Sequence, residues 1–201
     1  MRPTSITTSA LLSICLICGG FSASAEQTQS PKGFFARLFS GHQGGAAAQG
    51  GQADLSEARD ALKQAVKVAV ENRPSGRLWC VPFARAITGV ALKGNARTWW
   101  DQAAGKYPRG QEPEIGAVLS FSGSKSMPKG HVAVVSAVLG PREILVDHAN
   151  WQHNRISLDN RVVDVSPKND WSQVRVANAG GSLGRVNPVQ GFIYTDLTPK
   201  G

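Results

Sequence analysis

One stretch of mostly β-branched residues follows directly on a polar loop and runs from 130 to 138: Gly130-His131-Val132-Ala133-Val134-Val135-Ser136-Ala137-Val138. A run of this composition predicts a β-strand. Because side chains alternate between the two faces of a strand, His131, Ala133 and Val135 are expected on one face. The run therefore predicts a strand with a histidine at its entrance.

Further short runs of this kind follow Pro108, separated by clusters of Gly, Pro, Asn and Ser: 117–121, 143–151, 162–165, 174–176 and 191–194. They predict consecutive antiparallel strands. Upstream, the apolar spacing over 54–72 predicts a helix, and shorter helices are expected at 79–87 and 96–103. Helices first and strands afterwards favour an α+β fold, with N-terminal helices packed on a small curled antiparallel sheet.

The N-terminus has the features of a secretory signal peptide. Arg2 supplies a positive charge, an apolar stretch runs from Ala10 to Phe21, and Ala23-Ser24-Ala25 has the small residues of a cleavage site. A membrane anchor is the alternative, but the apolar stretch is shorter than the roughly 18 residues of a spanning helix. We therefore expect export to the periplasm, the cell wall or the medium, without stable membrane insertion after cleavage.

The remaining chain divides by composition. Residues 26–53 are rich in Gly, Ala, Gln and Ser and predict a flexible low-complexity tether. The predicted order is a signal peptide at 1–25, the tether at 26–53, a helix at 54–72, a catalytic domain at 73–196 and a tail at 197–201.

Cysteine usage points to a single thiol of interest. Of three cysteines, Cys15 and Cys18 would leave with the signal peptide, so Cys80 would remain alone. A lone cysteine in an exported protein is an intermolecular bridge, a buried apolar residue or a reactive thiol. Pro82 predicts a helix start at Cys80, since proline is favoured in the first turn. Unpaired backbone N–H groups near Cys80 and Val81 would then lower the pKa of the thiol and bind an oxyanion.

A thiolate nucleophile needs a base, and the base needs a group that orients it. His131 is the predicted base. On the next strand, alternation puts His148 and Asn150 on one face and Asp147 and Trp151 on the other. Asn150 is the first choice for the third group, because an amide suffices to orient an imidazole. Asp147 is the second choice, while His148 and Trp151 are candidates for the pocket wall.

Four segments together resemble the CHAP family, the cysteine, histidine-dependent amidohydrolases/peptidases: 79–85, 114–121, 130–135 and 148–151. The resemblance implies a papain-like fold that cleaves amide bonds of peptidoglycan, either the N-acetylmuramoyl-L-alanine linkage or a bond in the stem peptide or cross-bridge. It also implies Cys80 as nucleophile and His131 as base, with no cofactor and no metal. The family's third site is commonly an acid and an asparagine two residues apart. Asn150 matches the asparagine, but His148 holds the place of the acid.

The charge balance agrees with an anionic partner such as peptidoglycan. Lys and Arg number 22 against 14 Asp and Glu, a formal net charge of +8. Nucleic acid is disfavoured, since no basic cluster with interleaved aromatics occurs, and zinc-ligand spacing is absent from the sequence. Two other functions stay open at this point: a non-catalytic peptidoglycan-binding or scaffold module, and an antibacterial effector amidase. A protein activator is a possible partner.

Overall fold

The structure, a computed structural model, describes residues 45–199. The predicted signal peptide at 1–25, the tether from 26 to 44 and the last two residues of the tail lie outside the described residues. The described residues belong to one compact unit.

The helices come first in the chain. They are α1 (Gly45–Glu71), α2 (Cys80–Thr88), a 3-10 turn (Ala96–Thr98) and α3 (Trp99–Ala103). α1 begins earlier than predicted, so that 45–53 of the predicted tether is helical, and three consecutive alanines at 46–48 favour this because alanine is the strongest helix former. None of the helices described here has the length and apolar character needed to cross a membrane.

Seven strands follow and form one antiparallel sheet. They are β1 (Arg109–Gly110), β2 (Val118–Phe121), β3 (His131–Gly140), β4 (Glu143–Ala149), β5 (Ile156–Asp164), β6 (Gln173–Ala177) and β7 (Leu183–Ile193). The order across the sheet is β1-β7-β2-β3-β4-β5-β6, and β7 also pairs with β6. Strands β2 to β7 therefore close into a six-stranded antiparallel barrel, with β1 added at the edge of β7.

The barrel corrects the predicted fold class. The α+β papain-like arrangement, with helices on a small curled sheet, is wrong because the sheet closes on itself. Closure depends on β7, whose first half pairs with β6 through Val174↔Asn187 and whose second half pairs with β2 through Leu119↔Phe192. β2 and β7 lie far apart in sequence, and alternation in a strand does not specify its partner.

Sequence patterns missed most of β7 and two thirds of β5 for the same physical reason. β7 contains Gly184, Pro188 and Gly191, which ordinarily interrupt strands. β5 contains Asp159, whose φ of 49° interrupts its regular strand conformation. Backbone pairing with strands on both sides holds these residues in the sheet despite their low strand propensity.

Two apolar clusters stabilise the unit, and strand alternation separates them. Leu119, Phe121, Ala133 and Val135 belong to a cluster shared among the barrel strands. Their neighbours on the other face of the strands form a second cluster with the helices. Its members include Val118, Val132, Val134 and Ala149 from the strands and Leu62, Val66, Phe83, Ile87 and Trp99 from the helices. Cys80 packs at the edge of this second cluster, so α2 is held against the outer face of β3.

Gly191 lies in β7 at a point where a side chain would collide with β1 and α3. Its φ is 139°, and a Cβ there would lie 2.5 Å from Gly110 O and 2.7 Å from Trp100 Cη2. We expect Gly191→Ala to lower the free energy of unfolding by about 1–3 kcal/mol, the usual range for overpacking. Urea unfolding measures this. Gly140→Ala is the matched control, because a Cβ at Gly140 meets nothing within 4 Å; equal effects of the two substitutions would contradict the prediction.

Candidate active site

Cys80 lies at the N-terminus of α2, where the sequence predicts a helix start. Trp79 precedes it in extended conformation, with φ −136° and ψ 143°. The thiol is half-buried, and the nearby backbone N–H groups of Val132, Val81 and Cys80 act to lower its pKa. Two of these donors belong to the first turn of α2 and the third follows His131 directly. The sulfur is therefore placed between the helix start and the entrance of β3.

His131 begins β3 and is 4 % exposed. Its position depends on Gly130, which has a φ of 68° and no space for a side chain: a Cβ would lie 2.6 Å from Arg97 N and 2.8 Å from Phe121 O. The Phe121 ring packs edge-on against the imidazole at 5.5 Å between centroids. The glycine thus lets the loop turn tightly into β3 and fixes where the imidazole enters the site.

A hydrogen-bonded chain of side chains continues from His131 to β5. His131 Nε2 lies 3.0 Å from His148 Nδ1, and His148 Nε2 lies 3.1 Å from Asn160 Nδ2. Asn160 Nδ2 also donates to Ala177 O at 3.3 Å, which orients its amide nitrogen toward the histidine. Because Asn160 donates, neutral His148 carries its proton on Nδ1 and donates it to His131 Nε2. His148 is therefore the group that orients His131.

Asn150 does not take the predicted role. It follows the end of β4 with a φ of 61°, its Oδ1 accepts the Asn154 N–H at 2.8 Å, and its own N–H donates to Arg155 O at 2.7 Å. The prediction extended strand alternation past Ala149, whereas the chain turns there. Asn150 lines the cleft, but its side chain stabilises the turn, and the hydrogen bond to His131 comes from His148.

Asp147, the second choice, lies on the opposite face of β4. Its Oδ1 accepts the Asp159 N–H at 2.7 Å, and its Oδ2 lies 3.4 Å from Lys63 Nζ. Lys63 also pairs with Asp159 Oδ1 at 2.8 Å. Burial raises the pKa of the Asp147 carboxyl, against the lowering effect of the Asp159 N–H and Lys63. Asp147 therefore joins α1 to the sheet and does not contact the imidazoles.

Trp151 packs against both imidazoles. Its ring stacks on His148 at 5.6 Å with an interplanar angle of 19°, and meets His131 at 5.0 Å and 65°. Together with Phe121 it surrounds the histidine pair with apolar surface. Trp151 thus acts as a wall of the cleft that excludes water from the hydrogen bond between the two rings.

Burial keeps the groups of the site neutral in the resting structure. It raises the pKa of the Cys80 thiol, although the N–H groups of Val132, Val81 and Cys80 oppose the rise. It lowers the pKa of His148 to about 3, and burial together with the nearby His148 holds the pKa of His131 well below its ordinary value. The expected lowering of the thiol pKa at the helix start is therefore wrong for the free protein, because desolvation outweighs the backbone donors.

One cleft connects these residues. It has a volume of about 910 Å³, and Cys80, His131, Asn150 and Trp151 line it together with Trp79.

Asn160 was missed by sequence reasoning, since it lies in a segment whose composition indicates a loop; no sequence signal pointed to it. In residues 45–199, no three His, Cys, Asp or Glu side chains are grouped as metal ligands.

The buried histidines predict a stability loss in acid. The folded pKa of His148 is about 3 against 6.5 ordinarily, so below pH 6.5 the unfolded chain binds a proton that the folded chain does not. Stability is therefore fully present above pH 6.5 and falls as the pH is lowered toward 3. Urea unfolding across this range should show a shallower acid slope for His148→Gln. The exposed His153 provides the control: equal slopes in His148→Gln and His153→Gln would contradict the prediction.

Comparison with known families agrees with this geometry. Residues 72–150 match the family model of the CHAP domain, which confirms the resemblance seen in the sequence. A CHAP domain indicates a hydrolase of the peptidoglycan amidase or peptidase type. The matched stretch contains Cys80, His131 and His148 and ends before Asn160. No curated protein matches the chain.

Proposed function

We propose that this protein is an exported cysteine hydrolase that cleaves an amide bond of peptidoglycan with Cys80 as nucleophile and His131 as base. One observation carries the proposal: the one cysteine of the described residues lies at a helix N-terminus and shares a cleft with a histidine whose ring is held by a second histidine. Nucleophile, base and orienting group in this order are the parts that cysteine acyl transfer requires. The CHAP match is consistent with peptidoglycan as the substrate class and so supports the proposal.

The proposed reaction begins with a proton transfer. Substrate binding excludes water, and the thiol proton passes to His131 as the sulfur attacks the amide carbon. The tetrahedral oxyanion accepts hydrogen bonds from backbone N–H groups at the start of α2. His131 then gives its proton to the leaving amine, and a thioester remains on Cys80. Water, deprotonated by His131, releases the carboxylic acid and restores the thiol.

In the resting hydrogen-bond arrangement His131 Nε2 accepts from His148, so the proton of neutral His131 is on Nδ1. To accept the thiol proton on Nδ1, His131 must donate from Nε2 to His148 Nδ1, and His148 must then carry its own proton on Nε2. Because an amide nitrogen cannot accept a hydrogen bond, this exchange requires the Asn160 amide to turn its oxygen toward His148 Nε2. The two imidazoles thus act as one unit, with Asn160 setting its resting state.

The N-terminal sequence and the net charge support the part of the proposal that concerns export and the cell wall. The N-terminal sequence has the features of a signal peptide, and the net charge of +8 suits an anionic polymer. The proposal predicts a mature protein that acts outside the cytoplasm on the cell wall. N-terminal sequencing of protein recovered from the medium or periplasm tests export, and a chain that retains residue 1 in the cytosolic fraction would contradict it.

Mass spectrometry of defined muropeptides incubated with purified protein tests the activity and the bond together. We expect one of two products. Either the lactyl carboxylate of N-acetylmuramic acid is released from an intact stem peptide, or the stem peptide is cut at one internal bond. Cys80→Ala protein should bind the same muropeptides and give no product. Binding without product by the unaltered protein, insensitive to alkylation of Cys80, would instead support the non-catalytic wall-binding function.

A further inference from the structure

The cleft that holds Cys80 is lined by cations and by no carboxylate. Arg77, Lys129 and Arg185 contribute side chains to it, and no Asp or Glu occurs among its lining residues. In the described part of the chain, ion pairs involve other cations, Lys63 and Arg161. None of the three cations of the cleft therefore forms an ion pair with a carboxylate of the described residues.

Two of these cations gather around an exposed aromatic ring. Arg77 Cζ lies 4.3 Å and Lys129 Nζ 5.4 Å from the centroid of the Trp79 ring, which is 42 % exposed. Contact with the ring face stabilises each cation and restricts its position. Because Trp79 directly precedes Cys80, this arrangement, which we call the Trp79 basic rim, lies beside the nucleophile.

Substrate chemistry decides which anion suits such a rim. A charged group that approaches unpaired cations in a partly enclosed cleft gains charge-assisted hydrogen bonds. The exposed part of the ring beside the cations suits a peptide chain that presents a carboxylate next to aliphatic carbons, which a compact inorganic anion lacks. Peptidoglycan stem peptides carry such carboxylates close to their amide bonds.

We propose that the Trp79 basic rim is a specificity site that binds a free carboxylate of the stem peptide next to the scissile amide. The inference rests on the proposed function for the identity of the peptide. It assigns Arg77 and Lys129 as the residues that select the carboxylate, with Arg185 adding positive charge to the same cleft. Conversion of that carboxylate to a carboxamide removes the charge while keeping the shape, and so weakens binding.

The test uses two muropeptides that differ only in whether the stem-peptide carboxylates are free or converted to carboxamides. Calorimetry with Cys80→Ala protein measures binding without turnover. We expect the free acid to bind on the order of 10-fold more tightly, and the difference to shrink as salt is added. Arg77→Gln combined with Lys129→Gln should bring the two affinities together. Lys67→Gln, an exposed cation of α1 outside the cleft, should leave the difference unchanged.

The outcomes separate this inference from the proposed function. Equal affinity for acid and amide, or discrimination that survives the double substitution, overturns the inference even if the unaltered protein hydrolyses both ligands. Discrimination that depends on Arg77 and Lys129 supports the inference even if no hydrolysis occurs, in which case the proposed function alone fails. Competition by a phosphate polymer that is stronger than by the free-acid muropeptide also overturns it, since the cleft would then select phosphate.

Discussion

Cys80→Ala is expected to lower kcat/KM for muropeptide hydrolysis by at least about 10³-fold, because the covalent route through a thioester is lost and no other described cysteine can replace it. The sulfur is half-buried at the edge of the apolar cluster that the helices form with the strands, so alanine leaves only a small cavity there. Mass spectrometry of the products measures the loss, and urea unfolding shows that the variant is folded.

A double substitution sharpens this prediction. If Cys80 and His131 act as one unit, Cys80→Ala combined with His131→Ala should be no slower than the slower single variant, since the second change removes a function that the first already abolished. Cys80→Ala protein with near-native turnover would contradict the proposed nucleophile. Losses that multiply in the double variant would contradict the shared proton transfer.

His148→Gln is expected to lower kcat by about 10²-fold or more with a smaller change in KM, because His131 loses the ring that fixes its tautomer. Glutamine keeps a polar group near His131 and Asn160 but cannot relay a proton between them. Steady-state kinetics against pH provides the measurement. The pH dependence should change in shape as well as height, since the two histidines titrate as a coupled pair.

Asn150→Gly is the matched control for His148→Gln. Glycine tolerates the φ of 61° at this position and removes only the side chain that accepts the Asn154 N–H. The structure therefore predicts kcat within a few-fold of the unaltered protein, with a modest loss of stability. A loss of kcat as large as that of His148→Gln would show that Asn150 orients the base, as the sequence alone had predicted.

The contrast between His148 and Asn150 shows how far strand alternation can be trusted. Alternation placed both residues on one face and favoured Asn150 through the chemistry of its amide. His148 lies inside β4, where alternation holds, whereas Asn150 lies past its end, where a positive φ redirects the side chain. Local patterns identified the right segment, but the turn after Ala149 decided which of its residues reaches His131.

The acid–base properties of the site show a second kind of limit. The sequence predicts a thiol activated by a helix start, and the backbone donors are present. Their effect on the pKa of Cys80 is smaller than that of burial against the strands, which depends on how closely α2 packs on β3. Desolvation is a property of the assembled core, so the composition of 79–85 alone could not reveal the balance.

By itself, the sequence determined the short-range features: the helix start at Cys80, the strand entrance at His131 and the resemblance to the CHAP domain. Only the tertiary structure decided the closed barrel, the orientation of His131 by His148, and the place of Asn160 behind it. The physical reason is the separation in sequence between the residues that interact. Capping, periodicity and turn chemistry act between neighbours in the chain, whereas the pairing of β7 with β2 and β6 and the hydrogen bond between β4 and β5 side chains join residues that the sequence keeps apart.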